Sequence, residues 1–180
     1  DALLQLHIRH VPGGQFTDQV FSTMKARDIL RFNGPHGTFY LREDSEKPMI
    51  LLAGGTGFAP IKAIVEHAIA QKIQRPMFIY WGAKAKVDLY QNALPEQWAA
   101  AHAQIKYIPV LSEPSLDDAW TGRSGFVHQA AMADFPDLSG YQVYACGSPG
   151  MIETVKADLV KHCKLPEEEF FADAFSYSTS

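Results

Sequence analysis

The chain has 180 residues and a mass of 20.0 kDa, enough for one large domain or two small ones. Hydrophobic residues make up 47% and charged residues 20%, which excludes a disordered chain. Sixteen Lys and Arg against 20 Asp and Glu leave a net charge of −4, so nothing points to nucleic acid as a partner. Two cysteines, Cys146 and Cys163, are too few for a disulfide scaffold, a Cys-only zinc site or an iron–sulfur cluster. No apolar run approaches the ~20 residues of a membrane span. The opening residues carry no signal-peptide pattern, so a soluble, reducing, cytoplasmic setting without membrane partners is the expectation.

Residues 1–44 read as short β pieces. Leu4, Leu6 and Ile8 alternate with Gln5, His7 and Arg9, and Pro12-Gly13-Gly14 ends the run. A short helix is expected over Phe16–Lys25, with Phe16, Val20, Phe21 and Met24 on its apolar side. Ile29–Phe32 and Thr38–Leu41 are further strand candidates.

Beyond Pro48 the rhythm changes to strand–helix. Met49–Ala53 is a continuous apolar run, the mark of a parallel strand covered on both faces. Ile61, Ile64, Val65, Ala68 and Ile69 repeat at helical spacing. Strands follow at Met77–Trp81, Ile105–Leu111 and Gln142–Cys146, with Phe170-Phe171 opening a fifth. Helices are expected at Pro95–Ala103, Val127–Met132 and from Met151. The fold class is therefore α/β: a five-stranded, parallel, doubly wound domain over 46–180, behind a β-rich segment over 1–45.

Ligands of such sheets bind beyond the carboxyl ends of the strands. There the first strand runs into Gly54-Gly55-Thr56-Gly57-Phe58-Ala59-Pro60 and a helix starts at once. Glycines let a phosphate approach the backbone, and a helix N-terminus offers N–H donors with a positive dipole end. Pro60 suits a first helical turn. The plain alternative is an ordinary tight βα turn. The usual dehydrogenase fingerprint puts an acid at the end of the second strand. Here that strand ends Trp81-Gly82-Ala83-Lys84, which disfavours a hydroxy-acid type dehydrogenase. A second glycine loop, Cys146-Gly147-Ser148-Pro149, ends the fourth strand. Cys146 is either a reactive thiol facing a helix N-terminus or a small buried residue. His128 is the one positional candidate for a general base, and the opening of a helix is its competing role.

Five motifs in fixed order carry a resemblance: Gly14-Gln15-Phe16-Thr17, Gly34-Pro35-x-Gly37-x-Phe39, Gly54–Pro60, Asp88-Leu89-Tyr90 and Cys146–Pro149. Together they resemble the ferredoxin–NADP reductase superfamily, in its bacterial iron–sulfur flavoprotein reductase branch. The resemblance implies part of an antiparallel FAD-binding barrel followed by an NAD(P)H-binding domain. It implies hydride transfer from a nicotinamide to FAD and electrons passed on to an iron–sulfur centre. The partners implied are a ferredoxin-like domain or protein, carrying a [2Fe–2S] cluster outside this chain, and an oxygenase or dehydrase component.

By the same resemblance Gly14, Gln15, Phe16 and Thr17 touch the FAD pyrophosphate. Gly54, Gly55, Thr56, Gly57 and Pro60 cradle the nicotinamide nucleotide, as do Gly147, Ser148 and Pro149. Cys146 lies beside the nicotinamide and Phe175 near the flavin ring; a core position in the last strand is the plain alternative for Phe175. Ser112 and Glu113 stand where NADPH-using members carry Ser-Arg. A carboxylate repels a 2′-phosphate, whereas Lys84 and Lys86 argue the other way, and NADH is favoured over NADPH.

The family's Arg-x-Tyr-Ser flavin motif is absent, so the sequence reads as a carboxyl-terminal fragment with an incomplete barrel. Weak FAD binding and self-association through the N-terminal segment are expected. The rival reading is a nucleotide-binding docking module without flavin or turnover.

Overall fold

The computed structural model describes residues 4–34 and 36–175; Pro35 of the second glycine motif lies outside them. The chain divides into two compact units, residues 1–38 and 39–180.

The described part of the first unit holds one regular element, helix α1 (Gln15–Ser22). The Phe16–Lys25 expectation was shifted and too long, because the chain leaves helical geometry at Thr23. The strands expected at Leu4–Ile8, Ile29–Phe32 and Thr38–Leu41 are not formed. Alternation specifies a strand only when a neighbouring strand completes the hydrogen-bond ladder and buries one face. Here Leu4, Leu6, Ile29 and Phe32 are all exposed, Ile29 at 87%.

The second unit is built on one parallel sheet. Its strands are β1 (Met49–Gly54), β2 (Met77–Ala83), β3 (Ile105–Leu111), β4 (Arg123–Ser124), β5 (Gln142–Gly147) and β6 (Phe170–Ala174), in the order β4-β3-β2-β1-β5-β6. Its helices are α2 (Phe58–Ala70), α3 (Ala93–Ala101), α4 (Val127–Asp134) and α5 (Pro149–Cys163). The sheet thus has six strands rather than five. The added strand is two exposed residues long and has no hydropathy pattern; pairing with Val110 and Leu111 creates it.

β1 is buried throughout its first five residues because helices cover both faces of the sheet. Met49, Leu51, Ala53, Ile79 and Trp81 pack with α2 and α3, while Ile50, Leu52, Tyr80, Val143 and Ala145 pack with α4 and α5. Each fully buried aliphatic side chain contributes roughly 1.5–3 kcal/mol.

At the amino ends of the strands Arg75 is 4% exposed and donates to the carbonyls of Lys47 (2.6 Å) and Arg42 (2.8 Å) and to Gln142 Oε1 (2.6 Å). Gln142 donates in turn to Glu169 (2.9 Å), which pairs with Lys47 (2.5 Å). This network anchors the segment leading into β1 and leaves the carboxyl ends of the strands open to function.

Candidate functional site

All strands run parallel, but the order in which they are added reverses at β1: β2, β3 and β4 extend the sheet on one side of it, β5 and β6 on the other. That is the topological switch point, where ligands of open α/β sheets bind. Both informative glycine loops meet there.

β1 ends at Gly54 and passes through one 3-10 turn, Gly55–Gly57, into α2. The three glycines differ in what they do. Gly55 has φ +54°, and a methyl group on it would meet nothing within 4 Å, so it faces open space. A methyl group at Gly57 would stand 2.1 Å from the Cys146 carbonyl oxygen, so this glycine lets α2 press against the end of β5. Methyl groups at Gly54 and Gly147 would stand 2.5 and 2.6 Å from the same atom, Met151 Sδ. One thioether therefore spans the β1/β5 crevice. Pro60 lies in the first turn of α2, as expected, and Thr56 is half-buried at the turn.

β5 ends in Cys146 and Gly147, and Ser148 caps α5 by accepting from Met151 N–H (3.4 Å), with Pro149 as the first helical residue. Two helix N-termini thus flank the crevice. Cys146 is fully buried, and burial, followed by the Asp173 carboxylate opposite it on β6, pushes its thiol well above the usual range. It is a neutral thiol packed in the core, without the electropositive exposure of a nucleophile. Phe175 is 37% exposed just beyond β6, and its N–H donates to Gly147 O (2.9 Å).

Ser112 and Glu113 follow β3 and are tied by backbone bonds to Ala83 and Lys84 after β2 (both 2.9 Å). Lys84 Nζ lies 3.1 Å from Glu113 Oε1. His128 is 7% exposed, 3.3 Å from Asp158 of α5, and burial lowers its pKa against the pull of that carboxylate. It is a helix–helix contact between α4 and α5.

In the first unit, Thr17 Oγ1 donates to Val11 O (2.9 Å) and accepts from Val11 N–H (3.2 Å). Asp18 accepts from Gly13 N–H (3.1 Å) and pairs with His10 (2.7 Å). The hydroxyl expected at a phosphate is turned inward, and the first-turn N–H groups of Gln15 and Phe16 remain as the donors for an anion. Among the described residues no cluster of His, Cys, Asp and Glu could hold a metal, and no helix is long and apolar enough to cross a membrane.

Sequence reasoning missed Trp81. Its indole N–H donates to Gly55 O (2.9 Å) and its ring stacks on Phe58 at 3.9 Å and 7°. Tyr90, of the Asp88-Leu89-Tyr90 motif, meets Trp81 edge-on at 5.1 Å. The available signal was an aromatic residue at the end of β2, in register with Ala53 of β1.

Residues 51–157 match the model of the oxidoreductase NAD-binding domain, and residues 2–40 that of the oxidoreductase FAD-binding domain. The chain belongs to the ferredoxin–NADP reductase superfamily. It is 46% identical over 172 residues to a CDP-6-deoxy-L-threo-D-glycero-4-hexulose-3-dehydrase reductase of Yersinia pestis, covering 96% of this chain and 51% of the relative. It is 35% identical to an NAD(P)H-flavin reductase of Aliivibrio fischeri, covering 97% of this chain and 74% of the relative. Among solved structures, the Amycolatopsis cytochrome P450 reductase GcoB superposes with a TM-score of 0.87 at 33% identity, over 96% of this chain and 52% of that one. The chain spans about half the length of the first curated relatives it matches. The bacterial reductase branch expected from the sequence agrees with these similarities.

Proposed function

We propose that this chain is the nicotinamide-nucleotide side of an NAD(P)H-dependent flavoprotein reductase, with residues 46–180 binding the nucleotide and 1–45 contributing to the flavin site. The observation that carries this reading is the convergence of two glycine loops and two helix N-termini on the β1/β5 switch point. Gly54, Gly55, Thr56, Gly57 and Pro60 form one wall of the nucleotide site, and Gly147, Ser148 and Pro149 the other. Gly55 and Gly150 leave backbone accessible there, since a methyl group on either would meet nothing within 4 Å. Ser112 and Glu113 face the adenosine ribose, where the carboxylate favours NADH over NADPH. Cys146 backs the nicotinamide as a neutral positioning contact, and Phe175 lies on the flavin side.

FAD, if held with the help of residues 1–45, would supply a hydride acceptor for the nicotinamide and release of electrons one at a time. The protein's part is to hold the two rings in register and exclude water. The electron acceptor would be an iron–sulfur domain or protein serving an oxygenase or dehydrase component. The dehydrase reductase similarity supports this assignment.

The test is NADH oxidation by the purified chain with FAD and ferricyanide as a one-electron acceptor. The expected result is acceptor reduction that requires both NADH and FAD. A second reading, a nucleotide-binding module without flavin, draws support from the inward-turned Thr17 hydroxyl and the Asp18 carboxylate beside the α1 N-terminus. NADH binding with no FAD-dependent reduction favours that module.

A further inference from the structure

We infer that Trp81 is a positioning residue for the nucleotide pyrophosphate, acting through the Gly55–Thr56 peptide; the inference rests on the nucleotide-binding reading above. Trp81 is fully buried, so its indole N–H needs a partner, and Gly55 O supplies it at 2.9 Å. That bond fixes the direction of one peptide plane. In a trans peptide the carbonyl and the following N–H point opposite ways. Drawing the Gly55 carbonyl inward onto Trp81 therefore turns the Thr56 N–H outward. That N–H belongs to the first turn after β1, whose donors have no partner within the helix. It emerges where the chain offers Gly55 in the left-handed region at φ +54° with open space beside it.

The indole itself is held on several sides. Phe58 stacks on it at 3.9 Å, and Tyr90 stands edge-on at 5.1 Å. Phe58 also meets Trp98 of α3 at 6.0 Å. Phe58 is the first residue of α2 and its N–H bonds to Gly55 O and Thr56 O. The glycine turn is thus clasped from below by rings on β2, α2 and α3. Without the clasp Gly55 would sample many backbone states, and a phosphate would have to select one of them. The Asp88-Leu89-Tyr90 motif gains a role through the same cluster, since Tyr90 closes the open side of the indole.

The test compares the full chain with Trp81→Phe, which keeps a flat ring against Phe58 and removes the donor together with one ring of the indole. Calorimetric titration with NADH and with ADP should show affinity falling by about fivefold to tenfold for both, the loss of one oriented hydrogen bond. Circular dichroism at the titration temperature should be unchanged. Equal affinity in a wild-type chain that binds and a folded Trp81→Phe chain overturns the inference and leaves the nucleotide reading standing. A wild-type chain that binds neither ligand overturns both. Should Trp81→Phe fail to fold, amide hydrogen exchange on the wild-type chain decides: NADH should slow exchange at Thr56, and unchanged exchange there overturns the inference.

Discussion

Lys84 and Glu113 form an ion pair of 3.1 Å that bridges the loops after β2 and β3. Read along the chain, these two residues argue against each other, the carboxylate for NADH and the ammonium for NADPH. In the fold each neutralises the other at the rim proposed above for the adenosine ribose. With side chains 69% and 65% exposed, the pair adds about 0–1 kcal/mol at most to stability, so its effect falls on ligand choice. Glu113→Gln should release Lys84 and raise NADPH affinity about fivefold, with little change for NADH and a gain that shrinks in salt. Parallel titrations with both nucleotides at low and high ionic strength check this. An unmoved NADPH affinity places the 2′-position elsewhere.

Gly57 and Gly150 should respond to alanine in opposite ways. At Gly57 the new methyl meets backbone at 2.1 Å, which no rotamer change relieves, so a loss of about 1–3 kcal/mol or more is expected. At Gly150, in the first turn of α5 with open space around it, alanine should stabilise by about 0.4–1 kcal/mol. Denaturant unfolding of the two variants reads both signs directly.

Those two glycines show what the sequence could and could not reveal. Read along the chain, Gly57 is one of the residues cradling the nucleotide, and nothing local marks it as a packing position. Its contact is with Cys146, 89 positions away along the numbering, and only the β1/β5 pairing brings them together. The elements of the second unit were legible because each carries its own periodicity: β3 falls at Ile105–Leu111 as read, and β1, β2 and β5 extend by one or two residues. The short β4 and the Trp81 clasp were not legible, because both depend on tertiary pairing rather than local pattern. The first unit misled for the converse reason. Leu4, Leu6 and Ile8 alternate, yet the ladder that would convert alternation into a strand is not formed.

Acid should loosen the amino end of the sheet. Burial raises the Glu169 carboxyl, but hydrogen bonds from Lys47 and Gln142 and the nearby cations outweigh it, and the net pKa is lowered. A lowered folded value means the contribution is complete above the ordinary ~4.3 and disappears as pH falls through the folded value. Glu169→Gln should therefore flatten the acid limb of stability below that range while costing stability at neutral pH. Urea unfolding across the acid range tests it, and an unchanged acid limb assigns the acid sensitivity to other carboxyls.

The first unit exposes Leu4, Leu6, Phe16, Phe21, Ile29 and Phe32, each at 46% or more. Apolar surface presented at this density invites association. We propose that the purified chain self-associates through this segment. Light scattering after gel filtration should give a mass above 20.0 kDa that falls on Ile29→Lys or Phe32→Lys substitution. A monomer retaining one FAD per chain contradicts it.

The central claim is that a nicotinamide nucleotide binds at the β1/β5 switch point. Amide NMR of the labelled chain titrated with NADH tests it most directly. The account predicts saturable shifts concentrated at Gly54–Phe58 and Gly147–Met151, with smaller ones at Ser112 and Glu113. Saturable shifts confined to other parts of the molecule, or none at all, contradict it.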